Sequence, residues 1–333
     1  KQLDNFVDTK KKQLEKLLLQ RMLIKNNSIY QNIEWQTLIN KKSIAYGLAP
    51  LKIKLQINLN IGCNLSCIMC DGRRYSSEPF HYNSIFKIMD FLDSETISEV
   101  KIIGGEPLLD KNGLLNVVRK GAEKDIPVHI VTNGCFLDQQ YLDELIHNRI
   151  GGITLSVDGV GDLHDQIRRE PGLFNKIQEI LFYMKKRHPR FKRKINCVVM
   201  KRNIDSIFEL VHWADKMGIH MLGVCRVENY NRNYGQWLVS EHDYKALADK
   251  LSHMKFNTHI HINQIYCNAR KNMDKCDYLL YRLNINDQGK ITPCYSDDNP
   301  FILDRPIKEL YRDRKFRDYI LNKANTCRGC GKY

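Results

Sequence analysis

Strand-like and helical segments alternate along most of this 333-residue chain. Apolar, strand-like runs lie near residues 53–59, 99–103, 127–132, 152–157, 194–200 and 219–227. The segments with helical patterns between them are 83–93, 111–124, 138–147, 173–187 and 204–217. This alternation favours an α/β fold with a parallel sheet, in which the helices form right-handed crossovers between strands.

A cysteine triplet directly follows the first strand-like run. Cys63, Cys67 and Cys70 have the spacing C-x3-C-x2-C. Three thiolates on one loop can hold three irons of a cubane cluster and leave the fourth iron open to a small molecule. A structural zinc site would normally need a fourth Cys or His ligand, and none lies near this loop in the sequence. Disulfides are disfavoured because the 11 cysteines are an odd number and no signal peptide precedes them.

Short polar motifs stand at the ends of the following strand-like runs. Glycines permit the close approach of a backbone to a ligand, and an arginine fork suits a carboxylate because it can donate two parallel hydrogen bonds. The motifs are Gly104-Gly105-Glu106-Pro107, Thr132-Asn133-Gly134, Ser156-Val157-Asp158-Gly159 and His164-Asp165-Gln166-Ile167-Arg168.

The triplet and these motifs, in this order, resemble the radical S-adenosylmethionine (SAM) enzymes. The resemblance implies a partial (β/α)6 TIM-like barrel, with the chemistry at the carboxyl ends of its strands. It also implies a SAM-binding 4Fe-4S cluster on the triplet and reductive cleavage of SAM to a 5′-deoxyadenosyl radical. The Gly104-Gly105-Glu106-Pro107 element would contact the SAM ammonium, and Arg168 would pair with the SAM carboxylate. The other implied SAM-binding residues are Thr132, Asn133, Ser156, Asp158 and Met69, which stands where the family often has an aromatic residue.

Four cysteines near the end of the chain carry a second metal signal. Cys276, Cys294, Cys327 and Cys330 can supply four thiolates, which would suit either a zinc ion or a complete iron–sulfur cluster. The array resembles the twitch domain, a short form of the SPASM domain that consists of a β-hairpin and a helix. This resemblance implies one auxiliary 4Fe-4S cluster, although a full SPASM domain with a further cluster would continue beyond Cys330.

Two of the remaining cysteines are candidates for a hydrogen-atom donor. Cys225 lies toward the end of the sixth strand-like run, and Cys267 lies shortly before Cys276. A thiol in this region could quench a substrate radical, whereas the alternative for each is packing as a small buried side chain. Cys135 is a weaker third candidate. Oxygen-labile clusters lead us to expect a cytoplasmic protein.

These signals divide the chain into four expected parts. They are an N-terminal helical extension (1–50), the barrel (51–230), a bridging segment (231–265) and the auxiliary-cluster domain (266–333). Residues 10–23 have a basic amphipathic pattern that would form either a cap on the barrel or a contact with a partner or membrane surface. No apolar run is long enough to span a membrane.

The net charge of +14 favours an anionic substrate. A peptide undergoing oxidation, crosslinking or epimerisation in the maturation of a ribosomally made natural product fits the basic surface and the aromatic loop 228–237. A sugar or aminocyclitol dehydrogenase or epimerase, whose family members carry the short twitch form, is the alternative. The electron donor would be a flavodoxin or ferredoxin. The basic run 185–194 is expected at the bottom of the barrel as a solvated loop, and nucleic-acid binding is not expected.

Overall fold

The computed structural model describes residues 9–10, 12–20, 33–59, 62–70, 82–227, 235–263, 280–291 and 301–326. Its centre is one parallel sheet of eight strands in the order β7-β6-β5-β4-β3-β2-β1-β8. The strands are β1 (Ile53–Leu59), β2 (Ile97–Gly104), β3 (Val128–Thr132), β4 (Gly152–Ser156), β5 (Lys194–Val199), β6 (Met221–Arg226), β7 (His259–Asn263) and β8 (Arg282–Asn286).

Helices connect the successive strands from β1 to β7, as the alternating pattern predicts, and further helices precede β1 and follow β8. Their bounds are α1 (Ile33–Ala45), α2 (Asn83–Asp90), α3 (Lys111–Glu123), α4 (Gln139–His147), α5 (Asp162–Arg168), α6 (Leu173–Arg187), α7 (Ile207–Met217), α8 (Glu241–His253), α9 (Ile307–Leu310) and α10 (Arg314–Thr326).

Local side chains explain several of the helix ends. The Asp138 carboxylate accepts a hydrogen bond from the Tyr141 backbone N–H at 2.7 Å and thereby caps the amino end of α4. Asp110 caps α3 in the same way through the Gly113 N–H at 2.8 Å. At the other end of α7, Gly218 adopts φ 69°, a left-handed conformation that favours glycine.

The six predicted strands are confirmed, and the sheet carries two further strands at its edges. β7 pairs with β6, and β8 pairs with β1, in both cases in parallel. β8 then turns at Gly289 (φ 80°) into an antiparallel bridge between Ile285 and Ile291. β7 lies within the predicted bridging segment and β8 within the predicted auxiliary-cluster domain, whose boundaries stay predictions.

The two faces of each strand have different surroundings. Ile53, Leu55 and Ile57 on β1 are fully buried and belong to the core between sheet and helices, as do Val100 and Ile102 on β2. The alternate positions therefore face the interior of the barrel, because successive strand side chains point to opposite faces. On β1 and β2 most of those interior positions are polar or charged, whereas Ile103 is apolar. The polar and charged residues are Lys54, Gln56, Asn58, Glu99 and Lys101.

Residues 12–20 are helical and pack against α1 and the segment that leads into β1. Leu17 is only 2% exposed and contacts a small cluster with Ile39 and Leu51. This packing fits the cap that the sequence suggests. Leu18 and Leu19 are 44% and 60% exposed, so the alternative of a partner surface stays a prediction. Within the described residues, no helix is long and apolar enough to cross a membrane.

The basic run 185–194 joins the end of α6 to the start of β5. It therefore lies at the amino ends of the strands, at the bottom of the barrel as predicted. One of its members is not a solvated side chain, because Arg193 is only 6% exposed. Its guanidinium donates to the Gly218 carbonyl from Nε at 3.1 Å and from Nη2 at 2.8 Å. Arg193 thus ties this loop to the end of α7.

Candidate active site

The cysteine loop lies at the carboxyl end of β1, where the barrel motifs converge. Cys67 is buried, Cys63 is half-buried and Cys70 is exposed. The loop is held by its own backbone, through the Cys70 N–H to the Cys67 carbonyl at 3.1 Å, and by the Ile68 N–H, which donates to the Ile167 carbonyl of α5 at 3.0 Å. The third cysteine is therefore the one most open to the mouth of the barrel.

Hydrogen-bond donors surround the sulfurs of the first two cysteines. The Leu65 backbone N–H and the Asn133 side-chain amide donate to Cys63 Sγ, at 3.5 and 3.6 Å. The Arg168 guanidinium donates to Cys67 Sγ at 3.8 Å. Donors of this kind stabilise thiolates and are the usual outer partners of metal-bound cysteines.

Burial makes the thiolate forms of these cysteines costly in the absence of a cation. It raises the pKa of Cys63 to about 11, with the Leu65 N–H acting in the opposite direction. Burial also raises the pKa of Cys67, against the lowering effect of Arg168. Bound iron would offset this cost, because a coordinating thiol is deprotonated by the metal. The donor set therefore fits the iron–sulfur cluster that the triplet predicts.

A site for a single metal ion needs a different arrangement of ligands from a cluster. Four-coordinate zinc requires its ligands to converge on one ion. In the described part of the chain, no group of three or more His, Cys, Asp or Glu side chains could hold a single metal ion. Thiolates of a cubane cluster each bind a different iron, so they need not meet at one point.

Glu106 connects the glycine motif to the motif after β3. Its side chain is 1% exposed, and its Oε1 accepts from the Leu108 backbone N–H at 2.9 Å and from Thr132 Oγ1 at 2.6 Å. Its Oε2 accepts from the Asn133 N–H at 2.9 Å. A carboxylate offers about four acceptor positions, so one is left for the predicted SAM ammonium. Burial raises the pKa of Glu106, and these hydrogen bonds oppose the rise.

The glycine motif brings β2 against β1 and the cysteine loop. Gly104 has φ 117°, and a Cβ there would overlap the backbone of Leu59. The Glu106 N–H donates to the Gly62 carbonyl, next to the first cysteine, at 3.2 Å. Gly105 is half-buried, and Pro107 is buried at the start of a short 3-10 helix.

Arg168 is fixed by a buried ion pair. Its Nε donates to Asp158 Oδ2 at 2.6 Å, and the Asp158 side chain is wholly enclosed. Asp158 Oδ1 also accepts from the Val198 N–H at 2.8 Å. Although burial would lower the pKa of Arg168, Asp158 and Cys67 raise it, so the guanidinium stays charged. Asp158 therefore lies behind Arg168 and orients it toward the cysteine loop.

The remaining predicted residues take different places. Ser156 is half-buried at the end of β4, and Met69 is half-buried and packs on the cluster that includes Ile167. Cys225 is half-buried near the end of β6. The structural description does not extend to Cys267, Cys276, Cys294, Cys327 or Cys330. The assignments of a hydrogen-atom donor and of an auxiliary cluster therefore stay predictions.

Two features of the site were not found from the sequence. Asn64, inside the cysteine loop, accepts from the Asn133 amide at 2.9 Å and so joins two motifs. A set of charged side chains also fills the barrel interior below the site. The polar residues that alternate with apolar ones in β1 and β2 were the available signal for that set.

Comparison with known proteins assigns the middle of the chain to a family. The model of the Radical SAM superfamily matches residues 57–214. The AdoMet-dependent heme synthase of Methanosarcina barkeri is 29% identical over 164 residues, which are 48% of this chain and 46% of the relative. The sporulation killing factor maturation protein SkfB of Bacillus subtilis is 21% identical over 291 residues, which are 85% of this chain and 70% of the relative.

Solved structures show the same fold. The crystal structure of Streptococcus suis SuiB superposes with a TM-score of 0.68 at 16% identity and covers 94% of this chain and 78% of SuiB. The matches to four curated relatives span only 46% to 63% of those proteins' lengths. The family model, the motif order and the fold together establish that residues 57–214 form a domain of the radical SAM superfamily.

Proposed function

We propose that this chain uses SAM and a 4Fe-4S cluster on Cys63, Cys67 and Cys70 to modify a peptide in the maturation of a ribosomally made natural product. When bound, the cluster and SAM would supply a 5′-deoxyadenosyl radical that removes a hydrogen atom from the substrate. The observation that carries the proposal is the joint contact of Asn133 and Arg168 with sulfurs of the triplet. Motifs from separate strands thereby meet at one set of thiols.

The chain's own residues would bind and orient these groups. Glu106 has an acceptor position for the SAM ammonium, and Arg168 retains guanidinium N–H groups for the SAM carboxylate after its bond to Asp158. Because both side chains are buried and already fixed by neighbours, little ordering would accompany binding. Met69 would pack at the edge of the adenine.

A peptide substrate has support from the relatives whose matches run over most of this chain. SkfB is named as a maturation protein for sporulation killing factor. SuiB has been solved with its precursor peptide SuiA, and that structure covers 94% of this chain with a TM-score of 0.65. The positive net charge of +14 suits an acidic peptide. The reaction would be an oxidation, a crosslink or an epimerisation, with Cys225 or Cys267 as donor in the last case.

A small polar substrate is the second candidate. The name of the Methanosarcina relative, a heme synthase, indicates a non-peptide product for that protein. A sugar or aminocyclitol dehydrogenase or epimerase would use the same SAM chemistry with a different pocket. The two candidates differ in the compound that acquires the modification.

The auxiliary 4Fe-4S cluster is proposed on Cys276, Cys294, Cys327 and Cys330, with a flavodoxin or ferredoxin as electron donor. Iron and sulfide per chain, measured after anaerobic reconstitution, test both clusters. We expect about eight irons in the wild type and about four in the Cys63/Cys67/Cys70→Ala variant. About four irons falling to none would remove the auxiliary cluster from the proposal.

Deoxyadenosine formation tests the SAM chemistry, and the triple variant is the control that should form none. The substrate class is tested by incubating the reduced enzyme with short peptides encoded beside its gene and with aminocyclitols. A mass change in a peptide would support the first candidate. A mass change confined to an aminocyclitol would refute it in favour of the second.

A further inference from the structure

A row of polar side chains crosses the barrel interior below the site. Gln56 on β1 lies opposite Lys101 on β2 and Asn284 on β8 in the strand register. Val100 and Ile102, on either side of Lys101, are buried in the core toward the helices. Lys101 therefore points to the barrel interior, since neighbouring strand residues face opposite ways.

Lys101 interacts across this interior rather than with its own strand alone. The pKa of Lys101 is lowered first by burial and then by Arg282 of β8, whereas Glu99 and Cys225 act to raise it. Cys225 belongs to β6, four strands away in the sheet. An electrostatic influence of β6 on β2 acts across the space that the curved sheet encloses.

Among the residues that the structure describes, positive charges outnumber negative ones in this space. Lys54, Lys101, Lys194 and Arg282 are all within electrostatic range of Glu99 or of one another. Glu99 is the carboxylate of this set, and it is engaged by Lys54 at 3.1 Å and by His129 at 3.7 Å. Burial lowers the pKa of His129 to about 4, so its imidazole is neutral at pH 7.

Two cations of this set, Lys194 and Lys101, are left for a ligand. Lys194 begins β5 at the amino ends of the strands, whereas Lys101 lies within β2, nearer the cysteine loop. No residue in the described ranges forms a hydrogen bond or ion pair with either ammonium group. A desolvated ammonium in a positive environment gains most from an anionic oxygen ligand, because the ligand supplies both charge and a hydrogen bond. The neighbouring Gln56 donates from Nε2 to Asn58 Oδ1 at 3.2 Å, and its amide carries a second N–H that can reach the ligand.

We propose that Lys101 anchors a carboxylate of the substrate inside the barrel. Under the peptide function proposed above, on which this inference rests, the group is the side chain of an acidic residue near the residue that reacts. Lys101 precedes Gly104 by three residues, roughly 10 Å along the strand, so the carboxylate would lie in the barrel interior below Glu106 and the cysteine loop. The interior charge would then select for acidic peptides.

The test uses the anaerobically reconstituted protein and two probes of equal shape. N-acetylglutamate amide carries the carboxylate, and N-acetylglutamine amide lacks its charge. Binding of each probe is measured by calorimetry for the wild type and for Lys101→Met, Lys101→Arg and Lys87→Met. Lys87 is exposed on α2, so Lys87→Met is the control that removes one positive charge elsewhere on the protein. Acetylation of Lys101 by acetic anhydride, followed by mass spectrometry with and without each probe, reports on the site directly.

We expect the glutamate probe to bind the wild type about tenfold or more tightly than the glutamine probe, as for a charged hydrogen bond. This preference should disappear in Lys101→Met and persist in Lys101→Arg and Lys87→Met. The glutamate probe alone should slow acetylation of Lys101. Equal binding of both probes, or a preference that survives in Lys101→Met, would overturn the inference.

Inorganic phosphate provides a further comparison. Protection of Lys101 by phosphate without protection by the glutamate probe would overturn the carboxylate assignment, because it would indicate a phosphorylated substrate. None of these measurements needs turnover. A protein that forms deoxyadenosine but shows no probe preference therefore loses this inference alone. A protein that binds the glutamate probe but forms no deoxyadenosine loses the proposed function.

Discussion

The ion pair between Asp158 and Arg168 offers the sharpest test of how the site is built. Its two side chains are 0% and 11% exposed, and they meet at 2.6 Å. In Asp158→Asn, the new side chain keeps nearly the same shape and can still accept from the Val198 N–H. It loses the negative charge, however, and its NH2 group would face the Arg168 Nε–H, which is also a donor.

The expected cost follows from the burial of the remaining charge. Removing one partner of a buried ion pair typically destabilises a protein by about 3–5 kcal/mol, because the other charge is left uncompensated. In a protein of this size, we expect the Tm to fall by more than about 5 °C. Thermal unfolding followed by circular dichroism under anaerobic conditions measures this change.

The exposed pair of Arg149 and Asp125 provides the control. These side chains are 69% and 79% exposed and lie 3.4 Å apart. Asp125→Asn makes the same chemical change, and asparagine tolerates the left-handed backbone at this position, φ 53°. We expect a change within the ~0.5 kcal/mol that is usual for surface substitutions. If the two substitutions lowered the Tm by the same amount, the buried pair would not hold Arg168, and our account of its orientation would be wrong.

Other substitutions test separate parts of the molecule. Gly104→Ala should destabilise the protein by at least ~1–3 kcal/mol, because its backbone conformation is strained for other residues and a Cβ would overlap β1. Gly235→Ala is the control: Gly235 has open space around it, so the substitution should be neutral in the same urea titration. Thr132→Val should cost about 1.5–3 kcal/mol of unfolding free energy through the lost 2.6 Å bond to Glu106, and an unchanged urea midpoint would contradict that role. The pKa of His129 is lowered from 6.5 to about 4 by burial, so the unfolded chain binds the proton first and stability should fall as the pH falls from 6.5 to 4. His129→Gln should flatten that part of the stability profile.

Much of the site could be predicted because its residues lie at strand ends. In a parallel sheet, the carboxyl ends of all strands meet at one edge, so Glu106 and Thr132 come together once the strands are placed. The sequence did not predict that Asp158 would hold Arg168. That contact depends on how α5 returns over the end of β4, which spacing alone does not determine. Cofactor contacts for Asp158 and Ser156 stay predictions.

The charged interior was missed for a different reason. Strands of parallel sheets are usually buried on both faces and read as continuous apolar runs. In β1 and β2, Lys54, Gln56, Glu99 and Lys101 interrupt the apolar residues at every second position, which is a pattern associated with a half-exposed face. Here the polar face lines an interior. The alternation was visible in the sequence, but the enclosure that gives it chemical meaning appears only when β8 and β6 are in place.

The barrel therefore separates its charges along the strands. At the amino ends, Glu99 and Lys54 form an ion pair beside a neutral His129. The lowered pKa of His129 makes the stability of the fold depend on pH. At the carboxyl ends, Glu106 and Arg168 are buried, fully fixed and directed at the cysteine loop. Lys101 lies between the two levels and belongs to neither set of ion pairs. A ligand that neutralised Lys101 would also lie beneath the thiols, so recognition of its charge would place its neighbouring atoms at the mouth of the barrel, where the radical chemistry is expected.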